Sequence, residues 1–289
     1  MKNRYDNSIR IIGERGAGKT TYLAALAYSS RVNYEIPYNV IPLNEDSRHL
    51  LEMARDVLLE SLLLKSTYSP KLVEELPFYN YNIYLKPSFL GQPFLALRGK
   101  NIEMNLSFLE YPGELFNDLR SNRTDRYLYS SYIDDCATVS KLLFLIDGTT
   151  RDDRGYGESV NILLKEIAKR LDTNKKELSQ YRIAIVISKC EEPLLWLYRN
   201  KPKELISKKF PATKLAFERF SQLSGCKINY FTCSSFGVMG NPPRPNFEFI
   251  RTDERGIMGV IAKPSQWKPF GLLAPIYWLE TGKNDPRLR

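Results

Sequence analysis

Gly13-Glu14-Arg15-Gly16-Ala17-Gly18-Lys19-Thr20 fits G-x-x-x-x-G-K-[ST], the pattern of a loop that cradles phosphates, and the chain is best read outward from it. Before it, Ser8-Ile9-Arg10-Ile11-Ile12 reads as a short strand that stops at a glycine. After it, Thr20 to Ala27 is built of good helix formers, with Leu23, Leu26 and Ala27 on one face. A strand, a glycine-rich turn and a helix in that order leave the first helical N–H groups unpaired. They point into the turn, where the helix dipole adds positive potential, so an oligophosphate is the expected occupant. Gly13, Gly16 and Gly18 supply backbone freedom and close approach. Gly13, Gly16, Ala17, Gly18, Lys19, Thr20 and Thr21 are the expected nucleotide contacts: Lys19 reaches the terminal phosphates and the Thr20 hydroxyl a Mg²⁺ ion.

Phe108-Leu109-Glu110-Tyr111-Pro112-Gly113-Glu114 is the second informative stretch. It follows two alternating segments, Tyr79–Leu85 and Ile102–Phe108, separated by turn residues and expected to pair as an antiparallel hairpin. Glu110, at the end of the second strand, can hold Mg²⁺ through water, and Gly113 can offer its N–H to a γ-phosphate. A plain turn is the other reading of Glu-Tyr-Pro-Gly.

Lys141–Asp147, Arg182–Ile187 and Ile228–Cys233 are apolar runs of buried-strand type, and Val160, Leu163, Leu164, Ile167 and Leu171 mark a helix between the first two. Strands alternating with helices imply an α/β fold: a mostly parallel sheet with one antiparallel strand and helices on both faces. The phosphate-loop motif at its first strand makes a P-loop NTPase fold the expectation. Binding residues are expected at the carboxyl ends of the strands.

The 289 residues, 43% of them apolar, can build a sizeable core. Residues 1–289 read as a single domain with a helical insertion near 31–77 and an irregular proline-rich insertion near 238–266. Within the first, Ser29–Leu43 reads as loop on account of Pro37 and Pro42. Leu50, Met53, Ala54, Val57, Leu58 and Leu62 then follow helical spacing after the caps Asn44, Asp46 and Ser47. A closing helix over Phe270–Leu279, kinked at Pro275, is expected to pack on the sheet.

With His49 as sole histidine and four scattered cysteines, a histidine zinc site and a Ser-His triad are excluded by inventory. No long apolar run and no signal-like start is present, so a cytoplasmic protein is expected. The net charge of +9 reads first as solvated surface, much of it Arg199, Lys201, Lys203, Lys208, Lys209 and Lys214. Nucleic acid or an acidic membrane surface is the less favoured explanation.

Taken in order, these motifs resemble those of a TRAFAC-class P-loop GTPase. More narrowly, Gly-x-Arg-Gly-x-Gly-Lys-Thr-Thr-Tyr-Leu-Ala-Ala-Leu, Tyr-Pro-Gly-Glu and Ser-Lys-Cys-Glu resemble the bacterial double-GTPase-like families, thought to serve in multi-component bacterial systems. The resemblance implies GTP/GDP and Mg²⁺ as ligands, with Thr20 and Glu110 at the metal and Gly113 sensing the γ-phosphate. Glu114 stands where many GTPases place a water-orienting glutamine. Lys189 would pack along the base, Glu191 would face the guanine N1 and N2 donors, and Ser234 and Ser235 would border it, with Ser188 counted among the nucleotide-binding residues. The sequence departs from the family where Glu110 replaces aspartate and where Ser188 and Glu191 replace Asn and Asp. Thr67 is the available switch I threonine, though it reads more simply as a loop residue.

Glu114, Lys19 and Arg15 are the candidate catalytic groups, Arg15, Arg120, Arg123 or Arg126 offering a compensating cation in cis. The expected activity is slow GTP hydrolysis by a switch whose loops near 65–78 and 113–127 order around the γ-phosphate and which recruits a protein partner or effector. An ATPase of another P-loop class and a nucleotide-binding scaffold with little hydrolysis are the alternatives.

Overall fold

The computed structural model describes residues 8–33, 35–59, 76–87, 100–120, 126–173, 178–253 and 256–289. Ile9, Ile11 and Ile12 make β1 (Ser8–Ile12) a fully buried strand, and it stands in the middle of a seven-stranded sheet. The order is β2 (Tyr38–Pro42), β3 (Phe78–Leu85), β4 (Ile102–Glu110), β1, β5 (Lys141–Asp147), β6 (Arg182–Ser188) and β7 (Lys227–Thr232). β4, β1, β5, β6 and β7 pair in parallel, whereas β3 pairs antiparallel with both β2 and β4. β3 therefore runs against the other six strands, and the mostly parallel P-loop NTPase architecture with one antiparallel strand is the one observed.

Both faces carry helices. Helix α1 (Lys19–Val32), α2 (Glu45–Leu59) and the closing α9 (Ala274–Thr281) cover the face lined by Ile9, Ile11, Tyr81 and Leu143. The other face, lined by Ile12, Phe144 and Ile185, is covered by α3 (Gly113–Asp118), α4 (Arg126–Thr138) and α5 (Asp153–Thr173). Beyond the short α6 (Pro193–Trp196), α7 (Pro202–Lys209) and α8 (Pro211–Ser224) complete that face. Because five strands run the same way, Ile12, Glu110, Asp147, Ser188 and Thr232 all reach one edge. There the strand order turns outward from β1, the usual place for a ligand crevice in such sheets.

Three expectations need correction. Residues 38–42 are not loop but the edge strand β2, in register with β3 from Tyr38↔Leu85 to Pro42↔Tyr81. Pro42 argued against a strand, yet at an edge its missing N–H costs no ladder bond. The outward N–H of Val40 is taken by the Ser30 hydroxyl at 3.2 Å, so with Pro42 beside it this edge offers little to an added strand. Second, Pro275 does not kink the closing helix but stands in its first turn, where proline is well tolerated. Third, 238–266 is not wholly irregular: β8 (Val238–Met239) pairs with β9 (Arg244–Pro245), and β10 (Glu248–Asp253) with β11 (Gly256–Val260). Thr67 and most of 65–78 lie outside the described residues, as do Arg123 and the side chain of Arg126.

Candidate nucleotide-binding site

The glycine-rich loop joins β1 to α1 as its sequence requires. Gly16 and Gly18 have φ of 82° and 86°, left-handed values that an L side chain resists, and Gly18 caps α1 with no side chain over the helix N-terminus. The first-turn N–H groups, including that of Thr21, are thus left to an incoming anion. Lys19 curls back over its own loop: Nζ donates to the carbonyls of Gly13 at 3.0 Å and Glu14 at 3.1 Å. Burial lowers its pKa, against the opposing pull of Glu110 and Glu114. An ammonium so held is a buried cation awaiting an anionic partner.

β4 carries Glu110 to the same place, opposite Ile11 of β1. Thr20 Oγ1 donates to Glu110 Oε1 at 2.5 Å and the Tyr79 hydroxyl lies beside the same carboxylate, while Oε2 lacks a hydrogen bond of normal geometry. Glu110 is 1% exposed, and burial raises its pKa although Lys19 works the other way. A hydroxyl and a carboxylate in contact, with one buried oxygen unsatisfied, fit a hard divalent cation such as Mg²⁺. No group of three or more His, Cys, Asp or Glu side chains suited to a metal occurs among the described residues, so phosphate and water would complete such a shell.

Past Glu110 the chain closes down on the loop. A Cβ on Gly113 would lie 2.1 Å from the Arg15 backbone nitrogen and 2.4 Å from its Cα, so only glycine permits this contact. Glu114 follows in the first turn of α3, and its carboxylate lies 3.4 Å from Arg15 Nη1. Arg120, another candidate cation, pairs instead with Asp152 at 3.1 Å.

The base-loop candidates gather at the ends of β6 and β7. Ser188 Oγ lies 2.8 Å from the Ala17 carbonyl and 3.1 Å from that of Ile146, so it ties β6 to the phosphate loop. Lys189 adopts φ 57° and its ammonium meets Asp147 Oδ2 at 2.5 Å. Glu191 is 5% exposed, has Ser234 beside it, and leaves Oε2 without a hydrogen bond; burial pushes its pKa up to about 7. Ser234 accepts from the Gly237 N–H, and the Ser235 carbonyl accepts from the Trp267 indole at 2.8 Å. Ser234 also forms a backbone bridge with Phe270, so the closing segment braces this loop from outside.

Asp147 and Glu14 were not singled out in the sequence as site residues. The Asp-Gly at the end of β5 was the available signal for the first. For the second there was none, because the positions between the loop glycines vary freely; burial and nearby Asp147 push the Glu14 carboxyl up to about 7.

No protein-family model matches the sequence, and no curated protein matches it. Among solved structures the chain is similar, at 13% identity and a TM-score of 0.40, to the signal recognition particle receptor SRb-GTP/SRX complex from Chaetomium thermophilum, over 81% of this chain and 92% of that one. It is also similar, at 12% identity and a TM-score of 0.33, to the bacterial selenocysteine-specific elongation factor EF-Sec, over 80% of this chain but 26% of that one. Likenesses this distant decide nothing about the site, whose chemistry rests on its own geometry. No described helix is long and apolar enough to cross a membrane.

Proposed function

We propose that the chain binds guanine nucleotide with Mg²⁺ and hydrolyses GTP slowly, as a nucleotide-dependent switch. The observation that carries this reading is the contact of Thr20 with Glu110 beside the buried Lys19 ammonium, at the mouth of a glycine-capped helix. Those groups meet the three needs of a metal triphosphate: N–H donors, a cation and oxygen ligands. Thr20 and Glu110 would hold Mg²⁺, which when bound neutralises charge between the β- and γ-phosphates. Lys19 trades two backbone carbonyls for phosphate oxygens. Gly113, pressed on the loop at Arg15, must shift or turn its N–H as a γ-phosphate enters, which is the structural content of a switch. Glu114 would orient the attacking water, with Arg15 compensating its charge.

For the base, Glu191, a buried carboxylate with Oε2 unsatisfied, supports guanine, whose N1–H and amine are donors. One observation favours a second reading, an ATPase. Raised to about 7, Glu191 is partly protonated near neutrality, and a protonated carboxyl can donate to the N1 acceptor of adenine. Competition of a fluorescent GTP by unlabelled GTP and ATP tests the choice. Displacement by GTP alone is expected; equal displacement by ATP overturns guanine selectivity. The placement of the switch in a multi-component bacterial system, with a protein effector, rests on the sequence resemblance.

A further inference from the structure

β1 is apolar but for Ser8 at its start and one residue within it: Arg10, 0% exposed, on the sheet face covered by α4. Its Nε donates to Asp135 Oδ2 at 2.6 Å and its Nη2 to Oδ1 at 2.8 Å, a two-point fork onto α4. The Tyr111 hydroxyl donates to the same Oδ2. The Tyr111 ring meets Tyr132, about one turn earlier on α4, edge-on at a centroid distance of 4.6 Å. Tyr111 is therefore fixed at both ring and hydroxyl, and it is the residue directly after Glu110.

Burying a guanidinium–carboxylate pair rarely stabilises a protein more than apolar side chains of equal volume would. In a strand otherwise made to be apolar, this pair needs another reason. What it holds is the end of β4, from the same strand that carries the phosphate loop. The contact stops short of Pro112, where α3 and the residues lying on Arg15 begin.

We infer that Arg10, Asp135 and Tyr111 are positioning residues that keep Glu110 against Thr20 while the chain beyond Pro112 moves with the nucleotide. The inference rests on reading Thr20 and Glu110 as the Mg²⁺ pair. Tyr111→Phe removes the hydroxyl and keeps the ring on Tyr132. Affinity for a fluorescent GTP is measured across a Mg²⁺ titration and in excess EDTA, beside thermal melts. The variant is expected to need roughly three- to tenfold more Mg²⁺ for half-maximal binding, somewhat below the loss typical of a group bonded directly to a metal ligand. Its affinity in EDTA should match wild type. An unchanged Mg²⁺ midpoint overturns the inference, as does an affinity loss equal in Mg²⁺ and EDTA that follows a lowered melting temperature. A wild type whose affinity ignores Mg²⁺ overturns the metal reading and this inference with it, and that shows before any variant is compared.

Discussion

The guanidinium of Arg15, inside the phosphate loop, lies 3.4 Å from the carboxylate of Glu114, the first side chain beyond the glycine that rests on that loop. Both side chains are well exposed, so the pair contributes only about 0–1 kcal/mol to stability. Its place matters more than its strength. A carboxylate beside a triphosphate is repelled unless a cation accompanies it, and Arg15 is already there.

The first prediction follows from that pairing. Glu114→Ala and Glu114→Gln should lower single-turnover GTP hydrolysis by about 10²-fold, the range of a lost proton acceptor, with GTP affinity and melting temperature unchanged. Arg15→Ala should cost at least as much, since a well-placed arginine is worth about 10³–10⁵ in rate. Unchanged hydrolysis in Glu114→Ala would remove it from catalysis.

Gly113→Ala asks whether the closed contact is part of the cycle. The new methyl would meet the backbone of Glu14 and Arg15, atoms that cannot swing aside. Overpacking of this kind costs about 1–3 kcal/mol. The apo protein should melt earlier and triphosphate affinity should fall more than diphosphate affinity, read by melting and by competition with GTP and GDP. Equal loss for both nucleotides would detach Gly113 from γ-phosphate sensing.

Much of this was legible in advance, and the parts that were not share a cause. The phosphate loop, the buried parallel strands and the β3–β4 hairpin are written in local patterns: glycine spacing, apolar runs and period-two alternation. Strand β2 was not, because Pro37 and Pro42 are breakers everywhere except at an edge, and edge position is a property of the whole sheet. Ser188 reads as a nucleotide-binding residue; that its hydroxyl lies 2.8 Å from the Ala17 carbonyl, a partner far away in sequence, only the fold reveals. Arg10 reads only as part of the first strand, and its partner Asp135 is revealed by the fold.

Ser188→Ala tests that tie. Losing one buried hydrogen bond should cost about 1 kcal/mol of stability. If the bond also shapes the loop, affinity for GTP, GDP and ATP should fall together by about fivefold, the equivalent of that 1 kcal/mol. A loss confined to guanine nucleotides, measured by the same competition, would place Ser188 at the base and contradict the tie.

Glu191 gives a pH dependence with a worked sign. Burial raises its pKa from 4.5 to about 7. The ionised form that accepts from guanine is lost as pH falls through that value, so GTP affinity should decline below about pH 7, approaching tenfold per unit. For the nucleotide-free protein the sign reverses. The folded carboxyl holds its proton more tightly than the unfolded one, so stability falls as pH rises from about 4.5 to 7 and levels above. Glu14, raised to the same value, adds to the stability trend. As a loop residue it affects GTP and ATP alike, so only Glu191→Gln should abolish the pH trend specific to GTP. A GTP-to-ATP affinity ratio independent of pH would contradict this.

Titration calorimetry of wild type and Lys19→Ala with GTP, GDP and ATP, with and without Mg²⁺, tests the central claim most directly. Wild type is expected to bind GTP and GDP in preference to ATP, with Mg²⁺ strengthening GTP, and Lys19→Ala to lose triphosphate binding while remaining folded by its melt. Equal affinities of the two proteins for all three nucleotides would contradict the account.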